Sequence, residues 1–132
     1  MLVQGAVRFG DMSLNGDTLY WVELRPEEQG RCVIVRRTPD GEIGDVLPPP
    51  FSARTLLHEY GGGALIAIGS EFFFTNYADQ QIWRMQPGHT PRQLTKHKHL
   101  RFADYTHDAK FNRLIAVCEE HDEDSAEPIN NI

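Results

Sequence analysis

Short apolar runs, rich in β-branched and aromatic residues, recur along the 132-residue chain between sequences that favour tight turns. Such runs are typical of β-strands, and no segment repeats its apolar positions every 3.6 residues as an amphipathic helix does. The chain is therefore predicted to fold as consecutive antiparallel strands without a helix. The runs are residues 19–22, 32–35, 64–68, 72–75, 82–83 and 114–118, and the turns are residues 15–17, 39–41, 69–71, 87–88 and 108–112.

The spacing of these runs indicates a repeated unit. Equivalent runs begin at Leu19, Phe72 and Leu114, which are separated by 53 and then 42 residues. Four-stranded propeller blades repeat at about 40 to 50 residues. The longer first interval contains three consecutive prolines at 48–50, and the stretch from there to residue 60 is interpreted as a loop inserted between two blades.

Apolar residues occupy both faces of the strands, as in a sheet that is covered on both sides. The predicted fold class is all-β: antiparallel four-stranded blades of an incomplete β-propeller, with approximate blades at residues 1–50, 60–98 and 99–132. Closed propellers have about 4 to 8 blades, so three blades cannot close a ring. The chain is expected to be a fragment of a longer protein, or to have its open sheet edges covered by another chain in an oligomer.

Composition narrows the possible partners. Hydrophobic residues make up 40% and charged residues 24% of the chain, as in ordinary globular domains. The formal charge of -6 arises from one acidic run after Arg113, because acidic and basic residues balance elsewhere. Without a basic surface, neither nucleic acid nor a membrane is expected as a partner. The acidic run, interpreted as a solvated loop between strands, is Glu119, Glu120, Asp122, Glu123, Asp124 and Glu127.

Localisation and cofactors follow from what the sequence lacks. A spanning helix needs roughly 20 apolar residues, and a secretory signal needs a long apolar stretch before its cleavage site. The chain has neither pattern, so a cytoplasmic location is predicted. Cys32 and Cys118 lie in separate apolar runs without the spacing of a zinc site, which predicts two reduced thiols and no metal or other cofactor.

Residues 20–31 and 54–63 carry a family resemblance, and the most specific part is the string His-Glu-Tyr-Gly-Gly-Gly at 58–63. With weaker matches at 76–81, 91–95 and 101–121, they resemble the N-terminal β-propeller of the prolyl oligopeptidase family of serine peptidases, in particular the dipeptidyl and acylaminoacyl peptidases. The resemblance implies a propeller that covers a C-terminal α/β-hydrolase domain and admits short peptides to it.

The sequence departs from that family in having no nucleophile. A hydrolase of this kind presents its serine in a Gly-x-Ser-x-Gly turn, and Ser13, Ser52, Ser70 and Ser125 all lack the flanking glycines. No catalytic residue is therefore predicted. The expected function is that of a non-catalytic propeller portion that gates and selects short peptides. The alternatives are a non-enzymatic TolB-like propeller that serves as an interaction scaffold and a small free-standing β protein.

Glu59, with Arg54 or Tyr60, is the candidate substrate-binding group. A carboxylate that faces the central cavity of a propeller would attract the ammonium group of a peptide through a charge-assisted hydrogen bond. The hypothesis depends on an ionisable pair next to a glycine-rich loop.

A structural role is the alternative for the same string. Gly61, Gly62 and Gly63 would allow a tight turn into the following strand, with His58 and Glu59 bonded to neighbouring loops. A zinc-protease motif is excluded because position 62 is glycine where a second histidine is needed, and a phosphate-binding loop is excluded because a strand follows instead of a helix.

Overall fold

The computed structural model describes residues 6–57 and 63–121 and the backbone of residues 129–131, and within them it confirms the all-β fold class. The strands form three antiparallel sheets, in the orders β1-β2-β3-β4, β5-β6-β7-β8 and β11-β10-β9, which we call the first, second and third blades. The strands are β1 Arg8–Asn15, β2 Thr18–Arg25, β3 Arg31–Arg37, β4 Ile43–Asp45, β5 Leu65–Ile68, β6 Glu71–Thr75, β7 Ile82–Met85, β8 Arg92–Gln93, β9 Leu100–Asp108, β10 Arg113–Glu120 and β11 Ile129–Asn131.

Tight hairpins join consecutive strands where the sequence predicts turns. Gly16 between β1 and β2 has a φ of 59°, and Gly69 between β5 and β6 has a φ of 61°. Both values lie in the left-handed region that residues with a side chain rarely adopt. Between β2 and β3 the chain makes a single 3-10 turn, Pro26–Glu28.

The main apolar core lies between the first and second blades. Phe72 and Phe74 of β6 are fully buried, and the ring of Tyr20 on β2 lies 5.8 Å from that of Phe72. The connection between the blades closes the core, because the Phe51 ring packs edge-on against Trp83 at 4.9 Å. The two blades therefore share one core, and its buried members are Tyr20, Val22, Cys32, Ile34, Leu47, Ala53, Leu65, Ala67, Phe72, Phe74 and Met85.

The outward face of the first blade has no such cover among the described residues. Phe9, Met12 and Leu14 of β1 are 72%, 69% and 69% exposed. In the third blade the apolar stretch 114–118 of β10 is half-buried throughout, whereas Phe72 and Phe74 of β6 are fully buried. Only the second blade is thus packed between two others.

A cluster of ion pairs around one arginine links β2 to the edge strand β4 of the first blade. Arg25 at the end of β2 binds both carboxylate oxygens of Asp45 on β4 at 2.6 Å, and it also contacts Glu23 and Glu28. The hydrogen bond from Arg25 is the main reason that the pKa of Asp45 is lowered. This bidentate pair holds the short edge strand β4 against β2 and β3.

Two expectations change. The sequence runs did not predict β1, β4, β8, β9 or β11. In β1, polar and apolar side chains alternate from Asp11 to Asn15. The expectation of a solvated loop for the whole acidic run is wrong at its start, because Glu119 and Glu120 end β10 and Glu119 is buried beside His121. The rest of the run lies outside the described residues. Within the described part of the chain, no helix is long and apolar enough to cross a membrane.

The shared core predicts a large effect at β6. Phe72→Ala should lower the free energy of unfolding by about 3–5 kcal/mol, since it removes a fully buried ring and leaves a cavity. Urea unfolding followed by circular dichroism measures the change. Phe9→Ala is the matched control and should alter it by less than about 0.5 kcal/mol. Equal effects of the two variants would contradict the packing described here.

Candidate functional site

Alternate side chains of β1 bind the backbone of β5. The Asp11 carboxylate accepts a hydrogen bond from the Ala64 N–H at 2.5 Å, and the Ser13 hydroxyl accepts one from the Ala67 N–H at 2.9 Å. Farther along β1, Asn15 donates its amide to a carbonyl in the turn after β5. Residues 11, 13 and 15 lie on one side of their strand. The polar side chains on this side of β1 therefore join the first blade to the second.

Residues 11, 13 and 15 contact residues 64, 67 and 69 in that order, so β1 and β5 run in the same direction. We call the end of the blades at which β1 and β5 begin the entry end. It carries the connection between β4 and β5 and the turn of residues 76–81 between β6 and β7. The sequence string at 58–63 belongs to that connection.

The third blade is joined to the second near the same end. Asp104 of β9 accepts a hydrogen bond from the Gly63 N–H at 2.7 Å and returns one from its own N–H to the Gly63 carbonyl at 2.8 Å. The Phe102 carbonyl accepts hydrogen bonds from the hydroxyls of Thr55 at 2.7 Å and Thr75 at 2.9 Å. The start of β5 is therefore held from both neighbouring blades.

Two carboxylates, Asp11 and Asp104, flank this start. Burial raises the pKa of Asp11, and the charge of Asp104 adds to that effect, whereas the hydrogen bond from Ala64 opposes it. Burial and the charge of Asp104 therefore disfavour the ionised form of Asp11, and the hydrogen bond from Ala64 favours it.

The side chain of Gln80 organises the surface of the entry end. Gln80 is buried and has a φ of 59°, which turns its amide back under the connection. Its oxygen accepts from the Leu56 N–H at 2.8 Å, and its nitrogen donates to the Tyr77 carbonyl at 2.9 Å and the Arg54 carbonyl at 3.5 Å. One buried amide thus fixes the backbone at three positions whose side chains are exposed.

Those three side chains differ in chemistry. The Arg54 guanidinium lies over the Tyr77 ring, 5.4 Å from its centroid. Tyr77 is 44% exposed and Leu56 is 40% exposed. We call Arg54, Leu56 and Tyr77 the entry platform. No described carboxylate lies within ion-pair distance of Arg54.

A crevice of about 430 Å³ lies between the turn 76–81 and the residues that begin and follow the strands of the third blade. Lys98 and Arg101 line it, as do Asp79 and His121, whose imidazole is paired with Glu119. Asp79 is the one carboxylate among the described lining residues, since Glu119 contacts the crevice only through His121. Among these lining residues, the cations Lys98 and Arg101 therefore outnumber the carboxylates by one.

The predicted site residues are described only in part. Arg54 lies exposed on the entry platform, and Gly63 lies at the joint with Asp104, where a β-carbon would approach the Asp104 carboxylate to 3.2 Å. The other members of the string, His58, Glu59, Tyr60, Gly61 and Gly62, lie outside the described residues.

Sequence reasoning missed Gln80, Asp11 and Asp104. An alternation of polar residues at 11, 13 and 15 was the available signal for the first joint. Two of the serines without flanking glycines have structural roles. The hydroxyl of Ser13 accepts a hydrogen bond from the Ala67 N–H, and that of Ser52 accepts one from the Cys32 N–H, both at 2.9 Å.

Comparisons with protein-family models and with curated proteins give no match. Solved structures do match. A Mycobacterium tuberculosis puromycin-hydrolyzing peptidase is 33% identical over 85% of this chain with a TM-score of 0.77. Puromycin hydrolase is 30% identical over 89% with a TM-score of 0.77, and a mutant of puromycin hydrolase complexed with PGG is 30% identical over 89% with a TM-score of 0.78. The chain spans 19% of the first of these proteins and 20% of the others, about a fifth of their length.

The buried carboxylate of Asp11 predicts a pH-dependent effect. A carboxyl whose pKa is raised on folding stabilises the fold in its protonated form, and this contribution is lost as the pH rises through the raised pKa. Asp11→Asn keeps an oxygen acceptor for Ala64 and cannot ionise. The urea midpoint of this variant relative to wild type should therefore increase from pH 3.5 to pH 7.

Asp11→Ala provides the comparison. It leaves the Ala64 N–H without its acceptor and should cost about 1–3 kcal/mol at neutral pH. A difference between Asp11→Asn and wild type that does not change with pH would show that the Asp11 carboxyl is not buried as described.

Proposed function

We propose that this chain, a partial β-propeller of the prolyl oligopeptidase family, is a non-catalytic part of a serine peptidase that gates and selects short peptides. The hydrolytic chemistry belongs in this proposal to an α/β-hydrolase domain of the same parent protein. The observation that carries the proposal is the likeness, at 30–33% identity over most of this chain, to peptidases about five times as long.

The packing of the terminal blades supports a larger ring. Phe9, Met12 and Leu14 form an exposed apolar strip on the face that a preceding blade covers in a closed propeller. Exposed apolar surface of this kind is typical of an interface. Further blades of the parent protein are proposed to cover this face and the open face of the third blade. Association of separate chains through the same open sheets is the alternative arrangement.

The entry end is the proposed substrate-facing end. It carries the described residues on either side of the string 58–63, and it presents Arg54 from a backbone that Gln80 fixes. Of the two partners that the sequence offers for Glu59, Arg54 and Tyr60, we choose Tyr60. Glu59 is proposed to bind the amino end of a peptide substrate, because a carboxylate pairs strongly with an ammonium group away from bulk water. A cytoplasmic location, with Cys32 and Cys118 as free thiols, is retained as part of the proposal.

The gene itself tests the assignment. We expect the native coding sequence to continue into a segment with Gly-x-Ser-x-Gly, and the full-length product to react stoichiometrically with a fluorophosphonate probe while the 132-residue chain remains unlabelled. A native product that contains a propeller without that segment would support a binding scaffold instead and would remove the peptidase assignment. Labelling of the 132-residue chain would equally contradict it.

Substrate selection is tested at Glu59. In the full-length enzyme, Glu59→Gln should raise KM about tenfold for peptides with a free amino terminus, which corresponds to loss of one charge-assisted hydrogen bond. N-acetylated peptides should be unaffected. Glu42→Gln, an exposed acid in the turn at the opposite end of the first blade, is the matched control. An unchanged KM for free-amino peptides would remove Glu59 from the site.

A further inference from the structure

The entry platform combines three features that suit recognition of a small ligand. Its guanidinium lies over the Tyr77 ring, 5.4 Å from the centroid, and that contact limits the positions open to the side chain. The guanidinium carries five N–H donors, and no described carboxylate forms an ion pair with it. Leu56 and the exposed part of Tyr77 supply apolar surface beside the charge.

The platform is also rigid at its base. Arg54 N–H donates to the Thr75 carbonyl at 3.0 Å, and Tyr77 N–H donates to the Ser52 carbonyl at 2.8 Å, so the two residues lie on paired extended segments. Gln80 binds the backbone of all three platform residues from below. A ligand that contacts these side chains therefore orders little backbone on binding, which favours affinity.

We propose that the entry platform binds the free α-carboxylate of a short peptide, with Arg54 as the carboxylate ligand and with Tyr77 and Leu56 against an apolar carboxyl-terminal side chain. Arginine pairs with carboxylates through two parallel hydrogen bonds, and the contact with the Tyr77 ring limits the movement of the guanidinium. The inference extends the proposed function, because it assigns a specificity for the carboxyl end of the peptide to residues outside the string 58–63.

Charge at this position favours a carboxylate over other ligands. Asp79 is the acidic residue of the turn 76–81, and its two oxygens accept hydrogen bonds from the Trp83 indole and the Gln81 N–H, both at 2.9 Å. Asp79 is thus engaged with its own blade. The guanidinium of Arg54 remains as a cation beside apolar surface, to which an apolar peptide with a terminal carboxylate is complementary.

The experiment measures the binding of two ligands to two proteins. Each titration of the 132-residue chain is monitored through the NMR chemical shifts of its backbone amides. The ligands are the tripeptide Ala-Ala-Leu with a free carboxylate and the same tripeptide as its carboxamide. The proteins are wild type and Arg54→Gln. We expect wild type to bind the carboxylate about tenfold more tightly than the amide, as for a charge-assisted pair, and Arg54→Gln to bind both equally.

Three further variants sharpen the test. Arg54→Lys keeps the charge without the planar fork and should retain only part of the preference, and Tyr77→Leu should reduce it by loosening Arg54. Arg37→Gln removes an equally exposed arginine at the opposite end of the first blade and should leave the preference unchanged. Peptide binding with the same preference in wild type and Arg54→Gln would overturn this inference alone. The absence of binding by any peptide would also count against peptide selection by the chain.

Discussion

Hydrogen bonds from side chains of one blade to the backbone of the next are the interaction on which this structure depends. An exposed strand edge leaves backbone donors and acceptors without partners, and proteins must cover or pair them. Here β1 supplies Asp11 and Ser13 to two N–H groups at and near the start of β5, and β9 supplies Asp104 to a third. The blades are therefore joined by paired polar groups as well as by the apolar core.

This joint places the candidate site. The connection between the first two blades enters β5 at Gly63 and Ala64, which the neighbouring blades hold through Asp104 and Asp11. On the other side of the string 58–63, Thr55 is bound to the third blade and the Leu56 backbone to Gln80. All three blades thus bind the described residues on either side of the string 58–63.

The sequence predicts the parts of the fold that are apolar. The run 32–35 identifies β3, because these four residues are buried on both faces of the strand and read as a continuous apolar segment. The edge strands β1 and β9 were not predicted by an apolar run, because polar side chains in them bind the next blade, as Asp11 and Ser13 of β1 and Asp104 of β9 do. A pattern of this kind resembles a solvated strand until the neighbouring blade is known, since the partners are backbone groups with no sequence signature.

The candidate site also has a part that the sequence predicts and a part that it does not. Arg54 was predicted from its place beside the glycine-rich string, and the structure shows it to be exposed; its binding role stays a prediction. The contribution of Gln80 could not be inferred, because a glutamine in a turn has no distinctive pattern and its three backbone partners lie 3, 24 and 26 residues away. Local sequence therefore predicts which residues are candidates for the site, whereas the hydrogen bonds that hold the Arg54 and Leu56 backbone come from contacts that only the folded chain brings together.

Amide hydrogen exchange of the 132-residue chain tests the joint between blades most directly. If the side chains of β1 pair with β5 as described, the amides of Ala64 and Ala67 should exchange as slowly as those of the buried strand β6, since all open in one cooperative unit. Exchange at Ala64 and Ala67 at the rate of exposed amides, with β6 still protected, would contradict the account.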